Sequence, residues 1–157
     1  MNIYLVRHGE AAALWDQHND PGLSEIGKQQ AAAAAKKLHS SIHEPVQIIS
    51  SPMLRTQQTA APLTQLLQYP VSINNAFREV PNLSQLSERR IWLLQFMIQQ
   101  WSGQPKIISQ WRDALLRELE DLQVPTIIFT HFLVMNAIVG KLIESKDTGA
   151  TNPTMRR

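Results

Sequence analysis

Apolar positions along the chain change period repeatedly, and the changes mark alternating strands and helices. Asn2 to Val6 is a short run with β-branched and aromatic residues that breaks at Arg7-His8-Gly9, so it reads as a strand entering a loop. The loop runs through the turn signal Asp20-Pro21-Gly22. Ser24 then caps a predicted helix to about His39, with Glu25 in its first turn and an alanine run, Ala31–Ala35, that suits close packing on a sheet. Val46 to Ile49 reads as a second strand. Ser51-Pro52 resembles a cap with proline at the first helical position, and Pro62 is expected to kink or interrupt the helix that follows.

Val71 to Ile73 reads as a third strand, and Asn74 to Ser87 as loop without a regular element. Two helical stripes come next, Ile91, Leu94, Ile98 and Trp101, then Ile108, Trp111, Leu115, Leu119 and Leu122. Thr126 to Phe129 is a strand that runs into Thr130-His131, and Leu133 to Leu142 a helix behind it. This alternation predicts an α/β domain with a largely parallel central sheet flanked by helices, a three-layer sandwich. The domain spans residues 1–144, and residues 145–157 read as an irregular tail.

Composition narrows the function. The chain has 157 residues, 43% of them apolar, which suits one globular domain with a single core. The absence of cysteine excludes a disulfide scaffold, a Cys-ligated zinc, an iron–sulfur cluster and a thiol nucleophile. A formal charge of +2 with no charge run gives no nucleic-acid footprint, and no segment is apolar enough for a signal peptide or membrane span. A cytoplasmic protein is the expectation. Oligomeric state stays open.

His8, Arg55 and His131 each follow a predicted strand. In an open α/β sheet the loops at the carboxyl ends of strands form the ligand crevice, so Arg7, His8, Arg55 and His131 should converge beside helix N-termini. Such a group suits a phosphoryl dianion. With no cysteine and no metal-binding motif, histidine is the best candidate to attack phosphorus, and it must be neutral to do so. Arg7 and Arg55 should lower the pKa of His8. Glu79, in the loop after the third strand, is the candidate acid for the leaving oxygen. No metal or cofactor is expected. His18, His39 and His43 lie in polar stretches without metal-ligand spacing and read as solvent-facing, while Trp92, Phe96 and Trp101 read as core.

Three blocks carry a family resemblance. Arg7-His8-Gly9-Glu10 with Pro21-Gly22-Leu23-Ser24-Glu25-Ile26-Gly27-Lys28-Gln29-Gln30-Ala31, then Ser50-Ser51-Pro52-Met53-Leu54-Arg55-Thr56-Gln57-Gln58-Thr59-Ala60, then Phe129-Thr130-His131 resemble the signatures of the histidine phosphatase superfamily, which includes the phosphoglycerate mutases. One R-H-G is weak evidence, but three blocks in order over roughly residues 1–142 are strong. The resemblance implies a phosphoglycerate mutase-like fold and a phosphorylated nucleophile at His8. It implies a phosphate pocket of Arg7, Arg55 and His131, with Glu79 as acid.

The chain also departs from that pattern. Leu14 stands where many members place a phosphate-touching asparagine, Phe132 where glycine is usual, and Pro81-Asn82-Leu83 where glycine and tryptophan follow the acid. Members continue past the last helix into further strand, whereas this chain ends at Asn152-Pro153-Thr154-Met155-Arg156-Arg157, which reads as a truncated or frame-shifted form. The expected activity is a metal-independent phosphatase acting on a small phosphomonoester or a phosphoprotein. The alternatives are a non-catalytic phosphate binder or decayed regulatory member, a phosphomutase, and, more distantly, a metal-dependent hydrolase.

Overall fold

In the computed structural model, residues 1–14 and 17–150 are described. Four strands, β1 (Ile3–Arg7), β2 (Gln47–Ser50), β3 (Val71–Ile73) and β4 (Thr126–Thr130), form one sheet in the order β1-β4-β2-β3. Every pairing among them is parallel, with Val6 opposite Phe129 and Ser50 opposite Phe129 in register. All five residues of β4 are buried, as expected of the strand in the middle of a covered parallel sheet.

Side chains alternate across the sheet and divide the core in two. Ile127 and Phe129 of β4 point with Ile48 toward α1 (Glu25–Ser41) and α2 (Leu54–Leu67), meeting Ala35, Ala60 and Leu63. Ile128 and Ile49 point the other way, into a cluster with α3 (Arg89–Phe96), α4 (Lys106–Glu120) and α5 (Phe132–Leu142). The alanine run, expected to pack on the sheet, does so in part: Ala35 meets Ile48, Ile127 and Phe129, but the closest approach of α1 is to the neighbouring helix α2. The arrangement is the expected α/β three-layer sandwich.

Several local expectations are corrected. The second helix begins at Leu54 rather than at Pro52, and its first N–H donates to Asp20 Oδ1 at 2.8 Å. A carboxylate from the preceding loop thus caps α2 across space, which frees Ser51 for another partner. Pro62 does not break α2, which continues to Leu67. The missing proline N–H removes one helical bond, but Ala60 and Leu63, both 0% exposed, lock the helix on either side. The segment from Asn74 to Ser87 is not featureless, because short 3-10 turns form at Asn75–Phe77 and Leu86–Glu88.

The stripe Ile91, Leu94, Ile98 and Trp101 is the largest correction. The helix stops at Phe96, and Ile91, Leu94 and Ile98 are 61%, 52% and 63% exposed. A helical period admitted two overlapping stripes, and the one containing Leu93 and Phe96 is buried instead, with Trp101 entering the core from a separate 3-10 turn. Trp92 packs partly buried against the same core. Beyond α5, Ser145–Ala150 lacks helix and strand, yet Thr148 is fully buried and its N–H donates to Gln99 O at 3.0 Å. The residues Asn152–Arg157, which bear on the expected truncation, lie outside the described residues.

Candidate active site

The carboxyl ends of β1, β2 and β4 and the segment after β3 bring the chemistry to one edge of the sheet. His8 follows β1, and its N–H donates to Thr130 O of β4 at 3.0 Å, which ties the two neighbouring strand ends together. Gly9 and Gly27 make the loop possible. A Cβ on Gly9 would lie 2.6 Å from Gly27 O, and one on Gly27 would lie 2.1 Å from Glu10 O. The turn therefore rests directly on the first turn of α1, where Ser24 Oγ accepts from Gly27 N and donates to Glu10 Oε1. Glu10 supports this turn and forms no surface ion pair among the described residues.

Arg55, the second residue of α2 and 4% exposed, joins the two histidines. Its Nε donates to His8 Nε2 at 3.2 Å, and its Nη2 donates to His131 Nδ1 at 3.2 Å. Both ring nitrogens must accept, so both imidazoles are neutral and their tautomers follow from the remaining partners. His8 Nδ1–H donates to Gly9 O at 2.7 Å, leaving the lone pair on Nε2. His131 Nε2–H donates to Ser51 Oγ at 2.8 Å, the use to which the unneeded cap residue is put.

Electrostatics agree with these assignments. The His8 pKa is lowered to about 4, mainly by burial and also by Arg55 and Arg7, against the opposing pull of the Gly9 carbonyl. The sequence reading gave the arginines as the cause; desolvation is the larger one. His131, 0% exposed, is depressed more strongly by burial and then by Arg55.

Arg7 is exposed at the end of β1, with its guanidinium carbon 5.2 Å from the centre of the Phe132 ring. Phe132 thus supplies a cation–π contact at the first residue of α5. Glu79, in the segment after β3, lies within electrostatic reach of Arg55 and Arg89. Burial raises its pKa, opposed by the N–H groups of Val80 and Leu133 and by Arg55 and Arg89. Its loop is pinned where Thr130 Oγ1 donates to Phe77 O at 2.8 Å and Trp111 Nε1 donates to Arg78 O at 2.9 Å.

Sequence reasoning missed Arg89 and Arg90. Arg89 acts electrostatically on Arg55, Glu79 and His131, and its buried Nε has no hydrogen-bond partner among the described residues. Arg90 lines the cavity of about 660 Å³ that opens beside His8. A signal was present: neither arginine has an acidic residue three or four positions away, so neither could be an ordinary helix-surface pair. Leu14, 55% exposed, lines the same cavity. His18, His39 and His43 are exposed, and the described residues contain no group of three or more His, Asp or Glu placed to hold a metal.

A family model for the histidine phosphatase superfamily (branch 1) matches residues 3–92. The chain belongs to that superfamily. A curated relative, a glucosyl-3-phosphoglycerate phosphatase from Mycolicibacterium vanbaalenii, is 35% identical over 81 residues, which is 49% of this chain and 35% of the relative. The chain thus matches about a third of that protein's length. Among solved structures, the native mycobacterial glucosyl-3-phosphoglycerate phosphatase superposes with a TM-score of 0.68 at 21% identity, covering 92% of this chain and 80% of that one. An Entamoeba histolytica phosphoserine phosphatase in complex with 3-phosphoglyceric acid gives 0.67 at 21% identity, covering 95% and 83%. At these identities the likeness shows the fold, the phosphoglycerate mutase-like sandwich.

Proposed function

We propose that the chain is a metal-independent histidine phosphatase that hydrolyses a phosphomonoester through a phosphohistidine on His8. The observation that carries this reading is the state of His8, a neutral imidazole oriented by Gly9 O with its Nε2 lone pair facing the Arg55 guanidinium. An arriving phosphoryl group takes the Arg55 donor to one of its oxygens and leaves Nε2 free to attack. In the first step the Nε2–P bond forms and the P–O bond to the leaving group breaks. The electron pair goes to the leaving oxygen, which takes a proton from Glu79. In the second step water attacks phosphorus, its proton passes to the Glu79 carboxylate, and the Nε2–P electron pair returns to His8.

Arg7, Arg55 and His131 bind the phosphoryl oxygens, with Arg55 supplying charge where it develops in the transition state. His131 binds as a neutral ring of the other tautomer: once Arg55 turns to the substrate, Nδ1–H donates to a phosphoryl oxygen and Nε2 accepts from the Ser51 hydroxyl. The superfamily relatives named above act on small phosphorylated compounds, which favours a small phosphomonoester over a phosphoprotein. We place the protein in the cytoplasm with no nucleic-acid partner. Its cysteine-free chain and near-balanced charge support this, and no helix among the described residues is long and apolar enough to cross a membrane.

The test is release of phosphate from phenyl phosphate, in chelator at mildly acidic pH, by the parent and by His8→Ala. Turnover by the parent alone supports the reading. A folded parent that binds phosphate without turnover would favour the non-catalytic alternative.

A further inference from the structure

The cavity beside His8 is far larger than a phosphoryl group needs, and its volume of about 660 Å³ matches the ~300–1,000 Å³ of pockets that enclose an organic ligand. Its lining is divided. Arg7, His8 and Gly9 face the phosphoryl end, whereas Ala13, Leu14, Leu94 and Arg90 form the remainder of the wall with Glu10 and Gln30. Arg90 and Leu94 stand one helical turn apart on α3, so the helix presents a cation and an apolar side chain side by side. Leu14 and Leu94 are 55% and 52% exposed, apolar surface that a ligand would cover.

Arg90 is exposed, lines the cavity and forms no ion pair among the described residues. Among the described residues Glu10 is the acidic one in the lining, and its carboxylate already accepts from Ser24 Oγ at 2.9 Å. With Arg7 and Arg90 against Glu10, the described part of the wall carries a net positive charge.

Resting on the phosphatase reading, we infer that the leaving group of the substrate has an apolar body and a second anionic group, with Leu14 and Leu94 covering the body and Arg90 binding the anion. Arg90 is then the residue that selects among phosphomonoesters, while the strand-end residues treat all of them alike.

Three esters separate these claims: phenyl phosphate, 4-carboxyphenyl phosphate and 4-(aminomethyl)phenyl phosphate. For the parent, kcat/KM should be about tenfold higher for the carboxylate than for the neutral ester, with the cationic ester lowest, as expected for one charge-assisted hydrogen bond. Arg90→Ala should bring the ratio of carboxylate to neutral ester to about one, through KM, and Arg90→Lys should restore part of it. Leu94→Ala should weaken both esters together. A ratio near one in the parent, or a ratio that survives Arg90→Ala, overturns the inference. Should the parent turn over none of the three, the phosphatase reading fails by itself. Calorimetric binding of the same esters to the folded parent and to Arg90→Ala then still reads the ranking, and equal affinities for all three would overturn the inference without reference to chemistry.

Discussion

The two sides of the candidate site are built by opposite means. At the strand ends, Arg55, His131 and Ser51 are buried and linked by hydrogen bonds to one another and to His8, and three parallel strands fix the spacing. On the α3 side, the backbone passes through two 3-10 turns and an eight-residue helix, Arg89 Nε lacks a hydrogen-bond partner among the described residues, and Ile91, Leu94 and Ile98 are exposed. The difference teaches where constraint lies. A group that must hold one geometry is tied into the sheet, while the segment that meets the variable part of a ligand is free to carry unpaired charge and bare apolar surface.

Substitutions at the strand ends should therefore cost chemistry most. Arg55→Ala removes donors to both histidines and should lower kcat on phenyl phosphate by about 10²–10³, and Arg55→Lys should rescue little because one ammonium cannot reproduce the fork. Equal loss from Arg90→Ala on the same ester would erase the contrast between the two sides. Steady-state kinetics on the two proteins decide it.

Glu79 sharpens the comparison because it is pinned like the strand ends but carried by the α3 side. Glu79→Gln should lower kcat by about 10²–10⁴, with the smallest loss for the best leaving group. The pH profile of kcat/KM follows from the two shifts. His8 must be neutral, so activity should rise as pH climbs through about 4. Glu79 must be protonated, so activity should fall as pH climbs through its raised pKa. Glu79→Gln should flatten the alkaline limb and leave the acid limb in place.

Two stability changes separate the scaffold from the chemistry. Gly27→Ala drives a Cβ into Glu10 O and should cost about 1–3 kcal/mol in denaturant unfolding, with loss of activity because the His8 turn must move. Asp20→Ala removes the cap on α2 and should cost roughly 1 kcal/mol, with a smaller effect on kcat than Arg55→Ala, since Arg55 adjoins the capped Leu54 but keeps its own donors to both histidines. An Asp20→Ala protein with unchanged Tm would contradict that cap.

The same division explains what could be read from the sequence. The strands, their largely parallel arrangement and the meeting of His8, Arg55 and His131 were legible, because a strand followed by a charged residue and a helix places that residue at a predictable sheet edge. Asp20 as a cap was not, because the bond joins residues 34 apart and local pattern favoured Ser51. The α3 register failed for a related reason, since Ile91, Leu94 and Ile98 fit a helical period as well as Leu93 and Phe96 do, and only tertiary packing chooses between them. Arg89 and Arg90 were missed although neither has an acidic neighbour at helical spacing, and their relation to Glu79 and His8 depends on a segment without strong periodicity.

The most direct test of the central claim is to trap the intermediate. Glu79→Gln protein mixed with phenyl phosphate, quenched in alkali to preserve phosphohistidine and digested for mass spectrometry should carry a phosphoryl group on the His8 imidazole. Turnover with no phosphoryl group on His8, or with one on a different residue, would contradict the account.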